Sequence, residues 1–195
     1  MRIYRRLLLA YNKLLAAAFG LDPWHAGLAL DRLYPADIIA YLNKRGETAR
    51  ESAIEIGCGL GDILVRLNYK TKIGYDSDGA VLKAAKFKNM LSFQNKTQFV
   101  QLDFPGSFPN GKHDAIILVN WIHHLAPETL KSSVRVLYEK HLNPAGEIIL
   151  DTVADPEYSH NHSMNEVVSG LNCRVLKIGD YPRGREIYSL LKSPQ

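Results

Sequence analysis

Cysteine is scarce in this chain: there are two in 195 residues, Cys58 and Cys173, far apart in sequence. That excludes a disulfide scaffold and any cysteine-rich metal spacing, and it points to a reducing, cytoplasmic setting. Long apolar runs are missing too. The opening helical stretch, with Leu7, Leu8 and Leu9, is broken by Asn12 and Lys13, so neither a bilayer span nor a secretory signal is expected. No Gly-Lys-Ser/Thr occurs, which excludes a P-loop. Repeats, low-complexity tracts and linkers are also absent. A net charge of +4 is too small to select a partner, although it permits RNA, a phosphorylated sugar or a membrane surface. The length suits one domain with a real core.

What is present is a concentrated signal at residues 52–62, Ser-Ala-Ile-Glu-Ile-Gly-Cys-Gly-Leu-Gly-Asp. A short apolar run stops at the alternating Gly57, Gly59 and Gly61, and Ile63, Leu64 and Leu67 follow with helical spacing. This predicts a strand, a tight turn and a helix over 62–69, whose N-terminal N–H groups would face a ligand held by the turn. The dinucleotide fingerprint would place its third small residue one position later, where Asp62 stands. A second apolar run ends in Asp76, where a ribose-binding acid belongs. Together these features ask for a ribose without requiring a pyrophosphate.

The segments Glu55-Ile-Gly-Cys-Gly-Leu-Gly61 and Gly74-Tyr-Asp76 resemble the first two motifs of class I S-adenosylmethionine-dependent methyltransferases. Later segments keep that family's order: Val100-Gln-Leu-Asp103, the run from Asp114 to His124, and Leu142 to Leu150 with Pro144-Ala145-Gly146 where Pro-Gly-Gly is usual. The resemblance implies S-adenosylmethionine as cofactor and a Rossmann-like α/β fold. That fold has a seven-stranded sheet, mostly parallel with a C-terminal antiparallel hairpin, and helices on both faces. A softer resemblance of residues 19–25 is to small methyltransferases of bacterial surface-polysaccharide clusters.

Alternating apolar runs predict strands at 53–56, 72–75, 97–102, 115–119 and 147–152, with a closing pair at 174–178 and 186–191. Helices are expected up to residue 19, with Gly20 as its cap, and over 33–42, 78–92 and 127–138. In the 33–42 helix, Leu33, Ile38, Ile39 and Leu42 should face inward. Residues 1–50 read as an N-terminal helical arm or cap on a catalytic domain at 51–195. The first helix, basic at its start and leucine-rich, packs on that domain or makes a peripheral membrane contact.

The resemblance implies cofactor contacts from Glu55, Gly57, Cys58, Gly59 and Gly61 at the turn. Asp76 and Ser77 would hold the ribose, Asp103 and Phe104 the adenine, and Asn120 the methionine end. Asp76 suits its role because a carboxylate can accept two hydrogen bonds from vicinal hydroxyls. His123 is the candidate general base, since imidazole titrates near neutrality and a hydroxyl acceptor must lose a proton; His124 is its substitute. Trp24, His25, Trp121 and Tyr158 are candidate substrate contacts. His25, His160 and His162 with Asp155 lack zinc-like spacing, so no metal is expected. The Arg183-Gly184-Arg185 turn reads as a solvated hairpin tip. The expected activity is O-methylation of a small-molecule or glycan-type acceptor. RNA methylation, N-methylation and a non-catalytic partner role stay open, although Asn120-Trp121-Ile122 lacks the Asn/Asp-Pro-Pro-aromatic motif of nucleic-acid amino methylation.

Overall fold

The computed structural model describes residues 2–22, 25, 27, 31–90 and 97–192. Among them seven strands form one sheet: β1 (Ser52–Ile56), β2 (Thr71–Asp76), β3 (Thr97–Gln101), β4 (His113–Leu118), β5 (Leu142–Thr152), β6 (Cys173–Tyr181) and β7 (Arg185–Lys192). Their order is β3-β2-β1-β4-β5-β7-β6. The first five run parallel, and β7 pairs antiparallel with both β5 and β6. The order reverses between β1 and β4, so a crevice opens at their carboxyl ends.

The pleat sorts the core into two layers. Ile54, Ile56, Ile116, Leu118, Ile148 and Leu150 meet α4 (Pro127–Val136) through Leu130 and Val134. On the other face Ala53, Ala115, Ile117, Val119 and Ile149 meet α2 (Tyr34–Asn43) through Tyr34, Ile38 and Leu42. The expected arm is therefore partly core. Pro35 in the first turn of α2 presets the helical φ and forfeits only an N–H that would be unpaired anyway. Leu33 does not face inward as expected: it precedes the helix and is exposed, and Tyr34 takes the buried position.

The first helix, α1 (Arg2–Phe19), ends where predicted, with Gly20 at φ +66° and the Leu21 N–H reaching back to the Ala16 carbonyl. It packs on α3 (Gly79–Met90) through Leu15, Ala16, Val81 and Ala84. The expected α3 positions 91 and 92 lie outside the described residues. A short α5 (Met164–Val167) precedes β6, and a wide π-turn (Leu137–His141) follows α4.

The helix expected over 62–69 does not form. One 3-10 turn, Leu64–Arg66, stands there instead, and the reason is length. Nine residues separate Gly61 from β2 and must span back along a five-residue strand, roughly 17 Å at 3.3 Å per residue. An α-helix of that many residues covers only about 13 Å. The turn's polar groups are taken up from outside: the Lys72 ammonium donates to the Val65 and Leu67 carbonyls, and Asn43 bonds Arg66 and Asn68. The helix N-terminus expected to face the glycine turn from residues 62–69 is therefore missing, and one short 3-10 turn stands in its place.

Candidate active site

All three turn glycines adopt left-handed φ, +72°, +52° and +77°, which a side chain would oppose. They divide the labour. A Cβ on Gly57 would collide with the Trp121 indole, and one on Gly61 would stand 2.8 Å from the Phe99 ring. Gly61 is therefore a packing residue, and it lines neither of the cavities described below. Cys58 contributes backbone only. Its N–H bonds the Tyr75 carbonyl at 2.9 Å, its thiol points into the packing with Leu82 and Phe99, and burial drives the thiol pKa well up.

Asp76, at the end of β2, accepts the Gly59 N–H at 3.0 Å on one oxygen and the Asp78 N–H at 3.1 Å on the other. It faces an open cavity with Ser77, Asp78, Leu102 and Phe104. Asp103 does not line it; its carbonyl caps the turn to Ser107 and its side chain is exposed. Phe104 is wedged edge-on between Phe108 and Trp121.

A second open cavity adjoins the first and is lined by Glu55, Asp62, Asn120, Tyr34 and Arg32. His25, Gly57 and Trp121 border both. The Trp121 indole lies over Gly57 and donates to the Ile56 carbonyl at 2.7 Å, so it partitions the crevice. His25 thus sits against the glycine turn. Trp24 lies outside the described residues. Glu55 is buried, accepts the Leu64 N–H, and is pushed up to about 8 chiefly by desolvation, with Asp62 and Asp76 adding to the shift. Asn120 takes φ +73°, held by a bond from its N–H to Asp151. Asparagine tolerates that conformation better than most residues, and such positions cluster at functional sites.

His123 lies beyond this partition and lines neither cavity. It is buried beneath Tyr158, with ring centroids 3.8 Å apart, and its Nδ1 has no hydrogen-bond partner. Burial, then His124, Arg185 and His162, push its pKa down to about 4. His124 is exposed beside it. The hairpin tip is exposed at Arg183 and Gly184, as expected, and Arg183 pairs with Asp155 and Glu157; Arg185 departs from that reading, being buried and ion-paired with Asp151. His162 is committed to the Ile122 carbonyl at 3.0 Å. Among the described residues no group of three or more His, Cys, Asp or Glu side chains is arranged to hold a metal.

Sequence reading missed Arg32 and the Arg185–Asp151 pair. Asp151 left a trace, an acid closing an apolar strand; Arg32 left none. The Arg32 guanidinium, exposed and bonded to the Tyr34 hydroxyl at 3.3 Å, is the cation of the Glu55 cavity.

The donor set fits a ligand with a ribose at one end and an amino acid at the other. Residues 54–149 match the methyltransferase domain family. Over those residues the chain belongs to the methyltransferase domain family, and its fold is that of the class I S-adenosylmethionine-dependent methyltransferases. It is a methyltransferase-fold protein that uses S-adenosylmethionine. Among solved structures it resembles the magnesium protoporphyrin IX methyltransferase of Synechocystis with bound SAH (TM-score 0.68, 16% identity, 82% of each chain). It also resembles a SAM-bound aminopentose methyltransferase of calicheamicin biosynthesis from Micromonospora echinaspora (TM-score 0.64, 13% identity, 91% of this chain and 95% of that one). A third likeness is an O-methyltransferase family protein from Burkholderia thailandensis (TM-score 0.60, 15% identity, 83% and 57%). No curated protein matches the sequence closely.

Proposed function

We propose that this methyltransferase methylates a hydroxyl oxygen of a small-molecule or glycan-type acceptor in the cytoplasm, with residues 51–195 as the catalytic domain and 1–50 as its cap. When bound, S-adenosylmethionine supplies an electrophilic methyl group on a sulfonium. Asp76 then accepts bonds from the ribose hydroxyls, Ser77 and Phe104 border the adenine, and Asn120 and Glu55 meet the amino group. Arg32 pairs with the carboxylate, because it is the guanidinium of that cavity and among the described residues no acid is paired with it. The observation that carries the oxygen reading is His123. Burial, with Arg185 nearby, keeps its imidazole neutral, the state that can accept a proton, and Nδ1 is without a partner. Tyr158 must move aside for an acceptor to reach it. The magnesium protoporphyrin IX and aminopentose relatives support an acceptor of modest size.

The test is transfer of labelled methyl into extracts fractionated as RNA, protein, lipid-linked glycan and small molecules, comparing wild type with His123→Ala. Label in the glycan or small-molecule fraction that falls by about 10²–10⁴-fold in the variant supports the base role. A base titrating near 4 also leaves the rate flat in pH above about 6. Label insensitive to His123 overturns the assignment, and label in RNA overturns the acceptor class.

A further inference from the structure

The chain's positive charge is not spread over its surface. Helix α1 carries Arg2, Arg5, Arg6 and Lys13, helix α3 carries Lys83, Lys86 and Lys88, and neither contains an acid. These two helices hold seven of the 24 cations and none of the 20 acids, so the remainder of a +4 chain is −3. The helices are neighbours: their buried faces share one core cluster, and the Phe19 and Phe87 rings lie 5.9 Å apart. Their outer faces are unusually apolar. Leu7 (64% exposed), Tyr11 (38%) and Leu14 (71%) follow i, i+4, i+7 spacing on α1, and Phe87 (50%) and Met90 (68%) stand on α3. The buried residues of α1, Asn12, Leu15 and Ala16, point the other way. The leucine face is therefore left over after packing.

We propose that the α1–α3 face docks on an anionic lipid bilayer. Exposed leucines, phenylalanine and methionine flanked by the exposed Arg6, Lys13, Lys83 and Lys86 form the pattern of an interfacial surface, in which apolar side chains enter the headgroup boundary and cations meet anionic lipid. Lys88 is spent internally on Asp62 at 2.8 Å and adds little to this surface. RNA fits less well, because phosphates would use the cations and leave the leucines in water. Among the described residues no helix is long and apolar enough to cross a membrane, so the contact is peripheral. Leu60 of the glycine turn belongs to the same cluster as Leu15 and Ala16, so a docked protein holds its cofactor cleft beside the lipid surface.

The test is co-sedimentation of the full chain, without cofactor, with vesicles of phosphatidylcholine alone or with 30 mol% (about one lipid in three) phosphatidylglycerol, at low and high salt. Binding is expected on the anionic vesicles alone and should fall as salt rises. Each cation near the surface multiplies binding by about fivefold, so Lys83→Glu/Lys86→Glu should cost about 25-fold or more. Leu7→Asn/Leu14→Asn should cost at least about tenfold with the thermal midpoint unchanged, since both side chains are exposed. Equal binding to neutral vesicles, no binding, or capture by a single-stranded RNA that is indifferent to the leucine pair overturns the proposal.

Discussion

In the cavity that carries Asp76, the polar groups are fixed by bonds of short sequence reach. Asp76 holds Gly59 and Asp78, and Cys58 is tied to Tyr75, all within two consecutive strands and their turns. In the neighbouring cavity, beyond Trp121, the governing contacts of Trp121 and Asn120 join distant segments, Trp121 to Ile56 and Asn120 to Asp151, while Arg32 is held only by a bond to the Tyr34 hydroxyl. The first half is therefore preformed, since its carboxylate is already aimed by backbone donors. The second is assembled from side chains that one rotamer change can displace. A ligand spanning both would meet a rigid ribose seat and an adjustable amino-acid seat.

Breaking the rigid half should have the largest effect. Asp76→Ala removes two charge-assisted bonds to the ribose and strands the Gly59 and Asp78 N–H groups. Titration calorimetry should show binding of S-adenosylmethionine and of methylthioadenosine weakened alike, by about 100-fold or more. If methylthioadenosine kept its affinity, the ribose would not sit on Asp76 and the division of labour would be wrong.

Glu55 probes the hidden charge of the adjustable half. Its folded pKa of about 8 lies above the unfolded value of 4.5. Between those pH values the folded state keeps a proton that the unfolded chain has lost, so stability from this group is full below pH 4.5 and falls as pH rises towards 8. Glu55→Gln cannot titrate. From pH 6 to 8 the wild type should lose about 2–3 kcal/mol more than the variant in urea-unfolding free energy. Parallel pH profiles would mean that Glu55 is ionised in the fold.

Arg32 separates the two seats by ligand. Arg32→Met should weaken S-adenosylmethionine and S-adenosylhomocysteine by about tenfold. Methylthioadenosine, which has no carboxylate, should bind unchanged. Equal losses for all three would place Arg32 outside the amino-acid seat.

The same division explains what could be read in advance. The strands, the terminal hairpin and the place of Asp76 at the end of β2 were legible because each follows from local apolar runs and glycine spacing. The helix over 62–69 was misread because periodicity carries no information about how far the chain must travel between strand ends. Leu33 was misread because Tyr34, one residue on, fills the inward position. At the candidate site, Glu55 and Asp76 stood in motifs, but their physical state did not: nothing in Ala53-Ile54-Glu55-Ile56 says that the acid is desolvated enough to keep its proton. No local pattern marks Arg32, and the Arg185–Asp151 pair depends on a contact between strands far apart in sequence. The burial of Arg185 escaped the reading of the hairpin tip for that reason.

Trp121 tests the boundary between the halves, and its expected effect is the smallest. Its indole lies on Gly57, where a close-approaching ligand would pass, and is held there by one neutral hydrogen bond to Ile56 and an edge contact with Phe104. A ligand bridging the two cavities must displace it. Trp121→Phe deletes the hydrogen bond while keeping an aromatic ring. Since such a bond is worth about 0.5–1.5 kcal/mol, S-adenosylmethionine should bind the variant about three- to tenfold more tightly. In a Trp24→Phe background, the remaining indole should report the displacement as a change in emission when cofactor is added. Weaker binding in the variant, with an emission change in the Trp24→Phe protein, would instead make the indole a direct cofactor contact. No change in either would mean that the two cavities are not spanned by one ligand.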